Sequence, residues 1–221
     1  MAASARQIQS ALNRLADDGV ARLTLLLTSL TGSPESMRGD LLDLTPSLIA
    51  AYADGTSALA ADWYDDLRDE VRPPRLYLAE PVVPDRGEKI GRMVAWASEP
   101  LFAPEPDVQK VALRLLPQVQ KEISRPFRDT ITTNTHRDPS AHGWRRISSG
   151  TGCKFCRMLA DKGAVYSGKG ARFAAHSHCH CSAEPAFQPG PAASDFQYVA
   201  SQRRRSEKDR ARLREYLDAN Y

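Results

Sequence analysis

Cys153 and Cys156 form a C-x2-C pair, and after nineteen intervening residues comes the run His176-Ser177-His178-Cys179-His180-Cys181. Two thiolates at C-x2-C spacing can converge on one tetrahedral cation while the amides between them donate hydrogen bonds to the sulfurs. All four cysteines of the chain fall within residues 153–181, a concentration that reads as a ligand set rather than as scattered core thiols. On an extended segment Cys179 and Cys181 point one way and the three histidines the other. A turn at residues 177–178 would instead bring His176 round to the metal. Two ligand sets follow: all four cysteines, or Cys153, Cys156 and Cys181 with His176 in place of Cys179. Either holds one structural zinc ion.

A catalytic zinc keeps an open coordination position beside a general base. Here thiolates are abundant, Glu184 is the only carboxylate soon after the last cysteine, and the H-x-E…P-C-x-x-C order of the zinc deaminases is absent. The expectation is a closed site that folds a small module, not an enzyme. The opening MAASARQIQSALNRLADD lacks the apolar stretch of a signal peptide, and nothing approaches the ~18 apolar residues of a membrane span. A chain kept in the cytosol where it is made, or in a particle assembled there, leaves its thiols reduced and free to bind metal.

Charge is uneven along the chain. The net charge is only +3, yet between Trp144 and Cys181 the cations Arg145, Arg146, Lys154, Arg157, Lys162, Lys169 and Arg172 face Asp161 alone. The tail adds Arg203, Arg204 and Arg205. A solvated surface explains such a patch, and so does non-specific contact with double-stranded DNA phosphates. The candidate contacts are Arg145, Arg146, Lys154, Arg157, Lys169, Arg172, Arg203, Arg204 and Arg205.

The elements that must position these groups are mainly helical. Apolar residues at 42% and charged residues at 26% give an ordinary globular composition. Ile8, Leu12, Leu15, Val20, Leu23, Leu27 and Leu30 recur at helical steps and predict an amphipathic helix that Gly32-Ser33-Pro34 ends. A second helix is expected from Met37 to Val71, broken near Pro46 and Asp54-Gly55, its acidic end a solvated face. Pro73-Pro74 begins an irregular connection. Helical pattern returns near Gly87 and again from Val108, where Pro117 is expected to kink or split the helix, with a further helical turn through Arg128 to Asn134. Trp144 to Ile147 suits a short strand, as do Ala164 to Tyr166 and Phe173 to Cys181, and the tail from Ser194 reads as an exposed helix. The expected organisation is a helical region over 1–135 that faces assembly partners, a small α+β zinc-knuckle module over 136–190, and a linker with a basic C-terminal helix over 191–221.

Gly143-Trp144 before Cys153-Lys154-Phe155-Cys156, then Leu159-Ala160, Gly163-Ala164-Val165-Tyr166 and the closing His176 to Cys181 run resemble the minor capsid proteins of tailed actinobacteriophages. These are the MuF-like group, related to the phage Mu F head-morphogenesis protein. The likeness covers about residues 130–190. It implies a few-copy virion protein inside the capsid near the portal vertex, partnered by the portal protein and other capsid components. Its implied roles are in head assembly and in DNA packaging or ejection, with no fused enzyme after the motif. The competing expectation is a zinc-containing DNA-binding module or an HNH-like nuclease, with His178 or His180 as the nominated histidine.

Overall fold

The structure, a computed structural model, describes residues 1–148, 152–163, 166, 173, 175–176, 179–188 and 206–221. In chain order the elements are α1 (Ala5–Ser29), α2 (Pro34–Val71), α3 (Gly87–Ala97), a 3-10 turn (Glu99–Phe102), α4 (Val108–Ile123), α5 (Arg125–Arg137), β1 (Gly143–Ile147), α6 (Lys154–Asp161), β2 (Ser182–Ala186) and α7 (Glu207–Asn220). The protein is mainly helical, with one small two-stranded sheet and a helix at its C-terminal end.

Helix α1 starts where Ser4 and Gln7 close a capping box, each side chain meeting the other's backbone amide. Its apolar stripe, including Leu12, Leu23 and Leu27, is buried as the spacing predicts. Helix α2 departs from expectation by running unbroken through Pro46 and Gly55. Pro46 forfeits one helical hydrogen bond, at a cost of about 3 kcal/mol in an isolated helix. The buried residues Met37, Leu41, Ile49 and Ala53 on both sides of it hold the helix against its neighbours. Gly55 has open space where a Cβ would sit and costs only about 1 kcal/mol, too little to end a packed helix. Pro117 likewise sits, buried, inside a continuous α4.

Two apolar cores result. One joins α1, the first half of α2, α3, the 3-10 turn and α4 through Leu23, Leu41, Val94, Leu101 and Leu115. The other gathers Ile8 and Leu12 of α1, Trp63 and Tyr64 of α2, and Phe127 and Ile131 of α5. Trp144 of β1 and Ala183 of β2 belong to the same cluster, so the sheet shares its core with the helices. The strands pair antiparallel with Arg145 opposite Glu184, and Gly143 enters the sheet at φ 143°, a conformation that favours glycine.

The connection from α2 to α3 is strapped along α5 by Asn134. Its amide oxygen accepts from Tyr77 Oη (2.7 Å) and the Glu80 amide (2.9 Å), and its Nδ2 donates to the Glu80 carbonyl (2.8 Å). Thr130 adds a bond from the Val82 amide at 2.9 Å. Replacing Asn134 with Ala strands two backbone groups, at about 1–3 kcal/mol each when buried. Asn134→Ala is therefore expected to speed limited proteolysis within residues 75–83 at least severalfold, while far-ultraviolet circular dichroism is retained. An unchanged cleavage rate would refute the strap.

Candidate metal centre

Cys153 is the N-cap of α6, and its sulfur accepts a hydrogen bond from the Cys156 amide at 3.5 Å. The amide-to-sulfur bonding expected of a C-x2-C knuckle is thus present, although the helix that carries it was not evident from the sequence. Cys156 lies one turn in and is buried, whereas Cys153 is exposed. The second half of the set arrives just before β2. The Cys179 amide donates to the His176 carbonyl (3.2 Å), and the His176 ring lies against α6. His176 Nε2 then lies 3.2 Å from both Cys153 Sγ and Cys156 Sγ. Cys179 and Cys181 both point inward as well, and Cys156 Sγ is 3.9 Å from Cys179 Sγ.

The ligand atoms fall into two overlapping triads, Cys153–Cys156–His176 and Cys156–Cys179–Cys181, each within 4.8 Å throughout. His176 and both Cys179 and Cys181, expected as alternatives, all stand at the cluster. All five candidate ligands are therefore assembled, with Cys156 common to both triads. Zinc–sulfur bonds of about 2.3 Å at tetrahedral angles place sulfurs a little under 4 Å apart, so the spacing suits such an ion. Protonation points the same way. Hydrogen bonds with Cys179 and Cys181 push the Cys156 thiol up. Hydrogen bonds from Cys156 and Cys181, aided by Arg128, drive Cys179 down. Crowded thiols that share protons so unequally gain by giving them up to a divalent cation.

Three helices hold the Cys179–Cys181 segment. Arg128 of α5 donates from Nε to the Cys181 carbonyl and from Nη2 to the Cys179 carbonyl, both at 2.8 Å. Gln9 of α1 donates to the His180 carbonyl at 2.7 Å. Gln120 of α4 meets His180 Nε2, which turns that ring away from the sulfurs. None of the three was foreseen. Each is a polar residue on a helix whose pattern reports only its apolar face, and no local signal marks it.

Four of the nominated DNA-contact residues are described, two on β1 and two on α6. Arg145 forms a two-pronged ion pair with Glu184 (2.7 and 2.8 Å). Lys154 pairs with Asp218 of α7 at 2.7 Å, and Arg157 donates to the Tyr221 carbonyl. Arg146 is a correction: only 4% exposed, its guanidinium lies 3.9 Å above the Phe173 ring, facing the interior rather than a phosphate. Strand alternation around the buried Trp144 accounts for this, because Trp144 and Arg146 share a strand whose pairing buries both. Lys169, Arg172, Arg203, Arg204 and Arg205 lie outside the described residues, as does His178. So do residues 164 and 165 of one expected strand; its third residue, Tyr166, bridges Trp144. The other expected strand, Phe173 to Cys181, is not a strand at its described residues, and β2 follows it at Ser182.

Fold and site together define a mainly helical protein in which a Cys/His cluster able to hold a metal ion is pinned to a helical body. The chain matches the VG15 protein family over residues 1–205 and belongs to it. That family is a viral one, of phage proteins. No curated protein and no solved structure matches the chain. Among the described residues no helix is long and apolar enough to cross a membrane.

Proposed function

We propose that this protein is a minor head protein of a tailed phage, of the MuF-like kind, placed inside the capsid near the portal vertex and acting in head assembly and in DNA packaging or ejection. The observation that carries the reading is a phage-family chain whose His176–Cys181 motif is built into a thiol-rich cluster clamped by α1, α4 and α5. One structural zinc ion is held by Cys156 with three of Cys153, Cys179, Cys181 and His176. It supplies cross-linking between α6 and the segment leading into β2, and no catalytic step.

The helical body is the partner-facing part. Leu25 and Leu113 are 69% and 73% exposed, apolar surface of the kind that packs against portal subunits or other copies. Arg145, Lys154, Arg157 and the arginine-rich tail serve packaged DNA without sequence preference. The Lys154–Asp218 pair, exposed at both ends, is worth little and exchanges readily for phosphate. For the nuclease alternative, His180 is engaged by Gln120 rather than by an Asp or Asn.

Mass spectrometry of purified particles is expected to find the chain at a few copies per virion, and deletion to yield empty or non-infectious heads. Its absence from particles made by a fully infectious phage would sink the proposal.

A further inference from the structure

Arg128 leaves the first turn of α5 and is 2% exposed, so a guanidinium is carried into the interior. It donates to the carbonyls of Cys179 and Cys181 and lies 5.0 Å from the centroid of the Phe173 ring. Among the described residues no carboxylate comes within ion-pair distance of it. Carbonyl dipoles and a ring face orient a cation but do not neutralise it, and a buried charge without a counter-charge is strongly disfavoured. The sulfurs of Cys179 and Cys181 act on Arg128 more strongly than the Asp129 carboxylate, which is paired with Arg125.

A dication bound by three thiolates and one imidazole keeps one negative charge, and bound by four thiolates it keeps two. Either centre is anionic, and Arg128 stands against the segment that supplies two of its sulfurs. We propose that Arg128 is a positioning residue for the metal centre: the built-in counter-charge of an anionic metal–thiolate cluster, which couples metal loading to the helical body through α5. This rests on the metal-binding reading above. The coupling path is short, because the neighbours Phe127 and Ile131 on α5 are fully buried in the core that holds Trp63 and Trp144.

The test uses the full chain under reducing conditions, with zinc affinity measured by competition against a chromophoric chelator. Arg128→Gln keeps hydrogen-bond donors but removes the charge; Arg128→Lys keeps the charge but loses the fork. Arg128→Gln is expected to bind zinc about 10–100-fold more weakly than the parent, the usual effect of losing a group that supports metal ligands. Arg128→Lys should recover most of that loss. With chelator present, the thermal midpoint of Arg128→Gln should fall less than its midpoint with zinc does, because no metal centre is then present for residue 128 to hold. A purely structural arginine would lower both midpoints alike. Parental zinc affinity in Arg128→Gln, or equal weakness in both variants, overturns the proposal. Should Arg128→Gln fail to fold, Arg128→Lys decides alone: affinity within about tenfold of the parent supports the counter-charge, and a loss beyond that overturns it. A parent chain that binds no zinc removes the metal reading itself, an outcome distinct from parental zinc binding that ignores the charge at residue 128.

Discussion

Cys156→Ser is expected to lose zinc more completely than any other single replacement in the cluster. Structural zinc contributes roughly 10–16 kcal/mol through four ligands, so one ligand is worth about 2.5–4 kcal/mol, or about 100- to 1,000-fold in affinity. The loss of Cys153, His176, Cys179 or Cys181 leaves one of the two triads whole. Cys156 is the member of both triads, and without it the two halves of the cluster share no sulfur. Zinc competition across the five single variants tests this ordering, and the cobalt-substituted visible spectrum reports the number of thiolates. Parental affinity in Cys156→Ser would refute it. Chelation of the parent should have a local effect: α1 to α4 have their own core of Leu23, Leu41, Val94 and Leu115, so helical circular dichroism persists. Protease access to the stretch around α6 should rise, because α6 buries only Cys156 and Leu159.

The cysteine set was legible because metal chemistry imposes short, local spacings, and C-x2-C needs no knowledge of the fold. Helix α1 was legible for the same kind of reason: its stripe has one period and its ends carry caps. The path of α2 through Pro46 was not, since the local penalty of proline is visible in sequence while the packing that outweighs it is spread over three other helices. Helix α5 was foreseen only as a turn. It buries Arg128, Thr130, Thr132, Asn134 and Thr135, a polar face that reads as exposed until its partners are known. Those partners lie far off in the chain: Arg128 reaches carbonyls 51 and 53 residues away, and Gln9 reaches one 171 residues away. Arg146 failed for the converse reason, because basic residues are ordinarily surface residues and only the pairing of β1 turns this one inward. The division at residue 135 followed the change in sequence texture, whereas Trp144 and Ala183 pack into the helical core.

The Asp138-Pro139 turn, a bland polar connection in the sequence, carries the second large expected effect. Asp138 is buried and accepts from Arg68 Nε at 2.8 Å, Tyr64 Oη at 3.2 Å and the Ser140 amide at 2.9 Å. Burial, and then the Asp138 charge, push the Tyr64 phenol far above its ordinary range, so that hydroxyl keeps its proton and donates it to the carboxylate. Arg68 also donates to the Arg75 carbonyl, so one carboxylate ties the end of α2, the strap after it and the turn into β1. The side chains of Arg68 and Asp138 are 7% and 0% exposed, which makes this a buried ion pair rather than a surface one. Removing one partner leaves the other charge uncompensated, at about 3–5 kcal/mol. For a chain of this size Asp138→Ala should lower the thermal midpoint by roughly 6–20 °C. Replacing both partners with apolar residues, as in Arg68→Met with Asp138→Leu, should recover a large part of the loss, because the desolvated charge is then gone. A fall of less than about 1 kcal/mol in Asp138→Ala would mean that solvent reaches Arg68 and that the sheet is held to α2 by its apolar contacts alone.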